Sequence, residues 1–473
     1  MYLVLLCIYF TWLALQNFLL PLAYQQGWLS FASATMLMAT KEVIMVLALL
    51  LLGYRAFQKG WRFNAADKFA LGYAILLGLY LAFAPMMLGA TVPFFIRIVS
   101  LRSVISLVLF YFWGRLSFLE LQETRRLLHF VIALQLLVAV FGIFEWNFLP
   151  LSFWRDTVGQ GAFMIDVKGL PDGINVEDGL PINMVRSDIR RSISTYGDPL
   201  AMGISCVFPL LVCAGWLIKS PKFTAAVARR KWWIASIIIG VALLLTNGRE
   251  SIAVALIGIV LLGFWAGKGK SVLVPVVAAA MLVLAIPAVW EHIADTVTFR
   301  EGSASDHLKF LHTGWENAPK LLLGKGLGEA GGWAGSLAGV DSQVGEDTYL
   351  ELMAQTGILS VILLLGFLLA ICKQARWFAA RIPDRLLTAA LAAAAANIIG
   401  RLFMAVFSPS FFDVVPMASF FFLCGVMFTT LQRLGLKPGW VLRQAVVSHK
   451  SDSAREIGPG FPGVLPSPNP GGA

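Results

Sequence analysis

Charge is scarce in this chain: only 14% of its residues are Asp, Glu, Lys or Arg, against 58% that are hydrophobic. A soluble globule of 473 residues cannot cover itself with so little polar surface, which excludes that class and points to a membrane protein. Cysteine is sparse as well. Cys7, Cys206, Cys213, Cys372 and Cys424 all fall in or at the ends of apolar runs, so neither a disulfide framework nor a thiolate metal site is expected. Met1-Tyr2-Leu3-Val4 lacks the basic residues that open a cleavable signal peptide. The first apolar run is therefore expected to stay in place as a signal anchor.

What is present is a succession of apolar windows long enough for a bilayer core of ~30 Å, which takes ~20 helical residues. Twelve are expected: Met1–Leu22, Leu29–Leu52, Phe69–Pro85, Ile98–Trp113, Leu127–Phe144, Pro199–Ile218, Trp232–Thr246, Ser251–Ala266, Val272–Trp290, Asp347–Ile371, Leu386–Phe407 and Val414–Leu431. The chain reads as an all-α integral membrane protein with a multi-span domain over residues 1–445. A Pro-, Gly- and Ser-rich tail, 446–473, is expected to be disordered.

Lys and Arg concentrate in alternate short connections: 53–68, 114–126, 219–231, the Lys268 and Lys270 turn, and 373–385. The intervening turns carry almost none. By the positive-inside rule both termini are expected in the cytoplasm. The net charge of +10 is then mostly topology and lipid-surface contact, with no nucleic-acid partner expected.

That orientation puts two polar stretches, 147–198 and 291–345, on the outer face. Few channels or carriers place roughly fifty residues twice on one side, whereas an enzyme taking substrate from the outer leaflet must build a site above the bilayer. The first stretch ends in a basic cluster, Arg186, Arg190 and Arg191. Positive charge there runs against the topology rule, and arginine forks bind phosphate oxygens bidentately; binding of lipid headgroups is the bland alternative. The second contains Gly324-Lys325-Gly326-Leu327-Gly328, which follows no strand and so does not read as a dinucleotide or P-loop. Asp341, Glu346, Asp347 and Tyr349 lead into the tenth span, where a carboxylate also suits a helix N-terminus without doing any chemistry.

Ionisable residues inside or at the edge of spans are few and costly. Lys41 and Glu42 lie midway in the second span, where snorkelling or mutual pairing accounts for them. Arg97 and Arg102 flank the outer end of the fourth. Arg249 and Glu250 sit at an outer turn and Arg401 inside the eleventh span, near where an anionic lipid-linked substrate would arrive.

Three segments together resemble the O-antigen ligase and Wzy-type polysaccharide polymerase superfamily: Thr246-Asn247-Gly248-Arg249, the stretch Trp315–Gly328, and Glu346-Asp347-Thr348-Tyr349-Leu350 running on to Gly357. The resemblance implies a C-type glycosyltransferase fold with two large extracytoplasmic loops in the bacterial cytoplasmic membrane. It implies transfer of a glycan from undecaprenyl diphosphate to an acceptor hydroxyl, with outer arginines on the diphosphate and no metal or other cofactor. Arg249 matches the turn arginine, while Arg190, Arg191 and Arg186 occupy the region of the first-loop arginines, with Arg401 as a further candidate. Ligases carry His where this chain has Glu346, which favours a polymerase over ligation to lipid A-core. Glu346, Asp347 or Asp341 is then the base for the acceptor hydroxyl, given a raised pKa. A chain-length regulator or flippase is the implied partner. A lipid-linked oligosaccharide flippase or transporter is the alternative of a different class.

Overall fold

The computed structural model describes residues 1–58, 63–170, 174–175, 179–186, 189–219, 226–274, 302–331, 347–408 and 410–436. Thirteen helices carry the argument: α1 (Tyr2–Gln25), α2 (Phe31–Gln58), α3 (Ala65–Leu88), α4 (Phe94–Leu116), α5 (Leu121–Phe148), α6 (Gln160–Asp166), α7 (Pro199–Lys219), α8 (Ala226–Leu245), α9 (Arg249–Trp265), α10 (Gly302–Asn317), α11 (Thr348–Ala379), α12 (Arg385–Met404) and α13 (Val414–Arg433). Among the described residues nine are long and apolar enough to cross a membrane: α1 to α5, α7, α11, α12 and α13. The chain is thus a multi-pass, all-α membrane protein.

The expected seventh and eighth spans are helices too. However, α8 opens on Arg229, Arg230 and Lys231, and α9 has only 17 residues. The ninth, Val272–Trp290, lies almost wholly outside the described residues, as does the tail 446–473. By contact the chain divides into Met1–Thr430 and Leu431–Ala473.

The centre of the bundle is α7, which packs on α8, α9 and α12, while α11 packs on α3 and α12. Its composition explains the position of α12: Ala389 to Ala396 is one run of small side chains broken only by Leu391, all buried. Without a hydrophobic drive between helices in lipid, such close approach is what makes dispersion contacts count. At the other extreme only 11% of the α2 window is buried among the described residues, against 89% for α7.

One end of the bundle is fastened by Arg115, whose Nε and Nη2 fork onto the Asp67 carboxylate at 2.9 and 2.7 Å. Tyr111 Oη donates to the same carboxylate and Arg115 Nη1 donates to Thr429. Arg115 therefore belongs to the helix interior and not to the basic connection in which the sequence pattern counted it. A bare backbone makes room there: a Cβ on Gly114 would lie 2.0 Å from Phe422 O, and one on Gly425 2.2 Å from Tyr111 O.

The polar stretch after α5 is folded against the opposite end. Two short antiparallel hairpins pair Ile174–Asn175 with Leu180–Pro181 and Val185–Arg186 with Ile189–Arg190. Beneath them Trp154, Val158, Leu180, Met184 and Ile193 form a small core against Phe18, Leu22 and Phe141. The core anchors the loop and so fixes the arginines that follow.

Candidate functional site

The first loop is organised by a carboxylate that the sequence pattern did not single out. Glu145, 1% exposed at the end of α5, accepts from Arg190 Nη2 at 3.1 Å, Ser192 Oγ at 3.1 Å and Trp154 Nε1 at 3.2 Å. Arg190 Nη2 also donates to Glu145 O. A buried carboxylate must be satisfied from several directions, and the loop wraps around it to do so.

Arg191 points the other way. Its Nε donates to Thr246 O at 2.7 Å and Nη1 to Asn183 O, while Ser192 N donates to Leu245 O. The loop arginines and the Thr246–Arg249 turn, some sixty residues apart in sequence, thus meet. Arg249 is half-buried at the first position of α9, and Glu250 follows it. Arg401 is fully buried in α12, with Nη1 on Glu250 Oε1 at 3.3 Å, Nη2 on Ile204 O at 3.1 Å and Nε on Asn397 Oδ1 at 3.2 Å. All three kinds of guanidinium nitrogen are thus directed at protein groups.

Asp347 is the N-cap of α11. Its Oδ1 accepts from Tyr349 N at 2.7 Å and Leu350 N at 3.0 Å, which is the capping role, while the buried Oδ2 has no hydrogen-bond partner among the described residues. Burial raises the Asp347 carboxyl to about 6 against the pull of those two amides. Thr348 N donates to Ala405 O and Tyr349 Oη to Leu402 O, so the start of α11 is held against the end of the helix that carries Arg401. Asp341, Glu346 and the Arg186 side chain lie outside what the structure describes; the Arg186 backbone pairs with Ile189.

The Gly-rich run packs on a neighbouring helix. α11 kinks at Thr356 and Gly357, and Lys325 N and Gly326 N donate to Ala354 O and Gln355 O, carbonyls close to the kink, at 2.7 and 3.0 Å. Gly324, at φ +70°, seats its Cα where a Cβ would lie 2.7 Å from Gly357 N. The run is a clasp on the broken helix.

Beside the arginines lie charged groups that sequence reasoning passed over. Lys168 follows α6, Asp198 precedes α7 and Asp413 precedes α13; each is half-buried. Asp413 rises to about 7 through burial, then through the charges of Asp198 and Glu250, with Arg401 and Lys168 opposing. Burial raises Asp198 as well. Lys168 falls to about 8 through burial first and then the charge of Lys41, with Arg102 adding to the fall and the two aspartates opposing it. These groups share one field, yet they come from seven separate segments, and Lys168, Asp198 and Asp413 carry no motif. Only the polar character of an isolated Asp or Lys at a span edge could have flagged them.

No protein-family model matches the chain, and no curated protein is significantly similar to it.

Proposed function

We propose that the protein is a membrane-embedded glycosyltransferase that polymerises polyprenyl-diphosphate-linked oligosaccharide repeat units at the end of the bundle where Arg190, Arg191, Arg249 and Asp347 lie. We infer that this end faces outward from the cytoplasmic membrane. One observation carries the reading. Segments 190–191 and 246–249 touch, and 347–350 is tied to α12 beside Arg401, which itself bonds Glu250 in the 246–250 turn.

In the reaction an acceptor hydroxyl oxygen attacks the anomeric carbon of the donor glycan. The bond from that carbon to the diphosphate oxygen breaks, and its electron pair leaves with the prenyl diphosphate. The hydroxyl proton passes to a carboxylate. Asp347, held near 6 by burial, is ionised at neutral pH yet basic enough to accept it; Glu346 is the neighbouring candidate. Cations beside the diphosphate stabilise the developing charge, which is where most of the rate should come from. In this scheme Arg401 positions: it holds Glu250 and α7 in place and does not touch substrate.

Charges at membrane depth, Lys41, Glu42 and Arg102, also suit a carrier of lipid-linked oligosaccharide. Purified protein in liposomes, supplied with lipid-linked repeat units, separates the two. Polymer that disappears in Arg249→Ala supports the transferase. Near-normal polymer from Arg249→Ala removes that arginine from the site, and movement of the lipid across the bilayer without polymer would establish the carrier.

A further inference from the structure

α5 and α8 pack on each other and run parallel. Near their starts the His129 ring of α5 lies 6.2 Å from the Trp232 ring of α8. At their far ends Ser192 bridges them, its Oγ donating to Glu145 and its N to Leu245 O. Trp232 also stacks on Trp216 near the end of α7, with ring centres 5.2 Å apart. Cations surround this aromatic seam. Arg125 and Arg126 stand four and three residues before His129, and Arg229 three before Trp232, spacings that put each on the face of its ring. Arg230 and Lys231 follow, and all five side chains are exposed.

Their charge is not balanced. Arg125 pairs with Asp384, the residue before α12, while Glu120 and Glu123 cap the start of α5 by a reciprocal pair of hydrogen bonds to the backbone. α8 has no acid in its first turn, and among the described residues no ion pair reaches Arg126, Arg229, Arg230 or Lys231. A cation near a helix N-terminus also stands against the dipole. Two such ends side by side make a field that an anion relieves.

Below the cations the surface is apolar. From Arg230 an exposed row runs down α8 through Trp233, Ile237, Val241 and Leu244, and from His129 another runs down α5 through Leu137, Val140 and Phe144. Rows at this spacing give a straight apolar stripe for an acyl chain, and the tryptophans at their head suit the level of lipid headgroups.

We infer that the seam between α5 and α8 binds an anionic phospholipid with two phosphates, of the diphosphatidylglycerol (cardiolipin) type. One phosphate is held by Arg125 and Arg126 and the other by Arg229 and Arg230, with the acyl chains along the two apolar rows. Because the cations are divided between two helices, the bridge between the phosphates spans the seam, which a lipid with one phosphate cannot do. Basic recesses between membrane helices are where such headgroups bind. The bound lipid ties together two helices whose far ends carry Glu145 and the Thr246 turn. Such a site is independent of the transferase reading.

The test uses the purified full chain in neutral detergent, stripped of lipid, with cardiolipin, phosphatidylglycerol, phosphatidylcholine and inorganic pyrophosphate as probes. Native mass spectrometry counts bound lipid, and thermal unfolding reads its effect. One cardiolipin is expected to stay bound and to raise the melting temperature by several degrees. Phosphatidylglycerol at equal phosphate should bind at least tenfold more weakly, and phosphatidylcholine and pyrophosphate not measurably. Arg126→Gln and Arg229→Gln should each weaken cardiolipin tenfold or more while leaving the lipid-free melting point unchanged; Arg230→Gln asks the same question if either fails to fold. Arg381, stacked on Trp377 at the same end of the bundle, is the control, and Arg381→Gln should bind as the unaltered protein does.

Unchanged cardiolipin affinity in Arg126→Gln and Arg229→Gln overturns the inference. An equal loss in Arg381→Gln does so too, since attraction would then belong to the whole basic end. Phosphatidylglycerol binding as tightly at equal phosphate refutes the two-phosphate bridge, and pyrophosphate binding as tightly as cardiolipin refutes a lipid as the ligand.

Discussion

Replacing Arg401 by Met should unfold the centre of the bundle more than it disturbs chemistry. The guanidinium donates to Glu250, Ile204 O and Asn397, and it is fully buried. Hydrogen bonds between membrane helices average ~0.6 kcal/mol each, so the two that reach other helices, to Glu250 and Ile204 O, supply about 1 kcal/mol. The larger cost is Glu250, 9% exposed, which would keep a buried charge without its partner. Breaking a buried pair from one side costs about 3–5 kcal/mol, a large fraction of a typical folding free energy of about 5–15 kcal/mol. Removing both charges with well-packed apolar groups is often close to neutral. The expected order of stability is therefore unaltered protein, then Arg401→Met with Glu250→Leu close behind, then Arg401→Met alone well below. Thermal unfolding in one detergent at pH 7, followed by far-UV circular dichroism and by loss of the monodisperse peak, measures it. Polymer synthesis is read on the same samples. An Arg401→Met protein that melts with the unaltered one and yet transfers no glycan would refute the structural assignment and return Arg401 to the substrate.

Asp347→Asn keeps a capping oxygen for Tyr349 N and Leu350 N but cannot ionise. Because the folded carboxyl stands near 6 against 3.8 for the free group, its ionised form is disfavoured in the fold. The penalty is absent below pH 4, grows through the window from 4 to 6 and reaches about 3 kcal/mol above it, so Asn should raise the melting temperature at pH 8 and leave it unchanged at pH 4. If Asp347 is the base, transfer rises with pH through about 6 and that limb vanishes in Asp347→Asn; an intact limb assigns the proton to another group. Gly357→Ala should destabilise by about 2 kcal/mol or more, since Cβ would lie 2.6 Å from Leu322 O at a positive φ. Limited proteolysis between residues 318 and 331 reads the release of the clasp, and unchanged cleavage would contradict the packing. Glu145→Ala strands Arg190 and frees the loop that converges on this carboxylate, so its melting point should fall by several degrees and cleavage in 150–198 should accelerate; resistance equal to the unaltered protein would show that the loop is held by its apolar core alone.

Membrane residence and helix positions were legible because they follow from composition and span length: for an apolar run of about 20 residues, helix is the structure that satisfies all backbone polar groups within the segment itself. The Thr246–Arg249 turn, the loop arginines and the helix cap at Asp347 were legible too, as local patterns with local causes. Tertiary structure decided what each of them touches. It turned Arg401 inward onto Glu250, made Glu145 the hub of the first loop, made Gly324 to Gly328 a clasp on the Gly357 kink, and moved Arg115 from an apparent loop charge to a buried clamp on Asp67. It also joined Lys41, Arg102, Lys168, Asp198 and Asp413 into one field. A charge near a span end has the same local sequence whether it faces lipid, water or another helix. Its energy is set by partners tens to hundreds of residues away, and only packing brings those partners within reach.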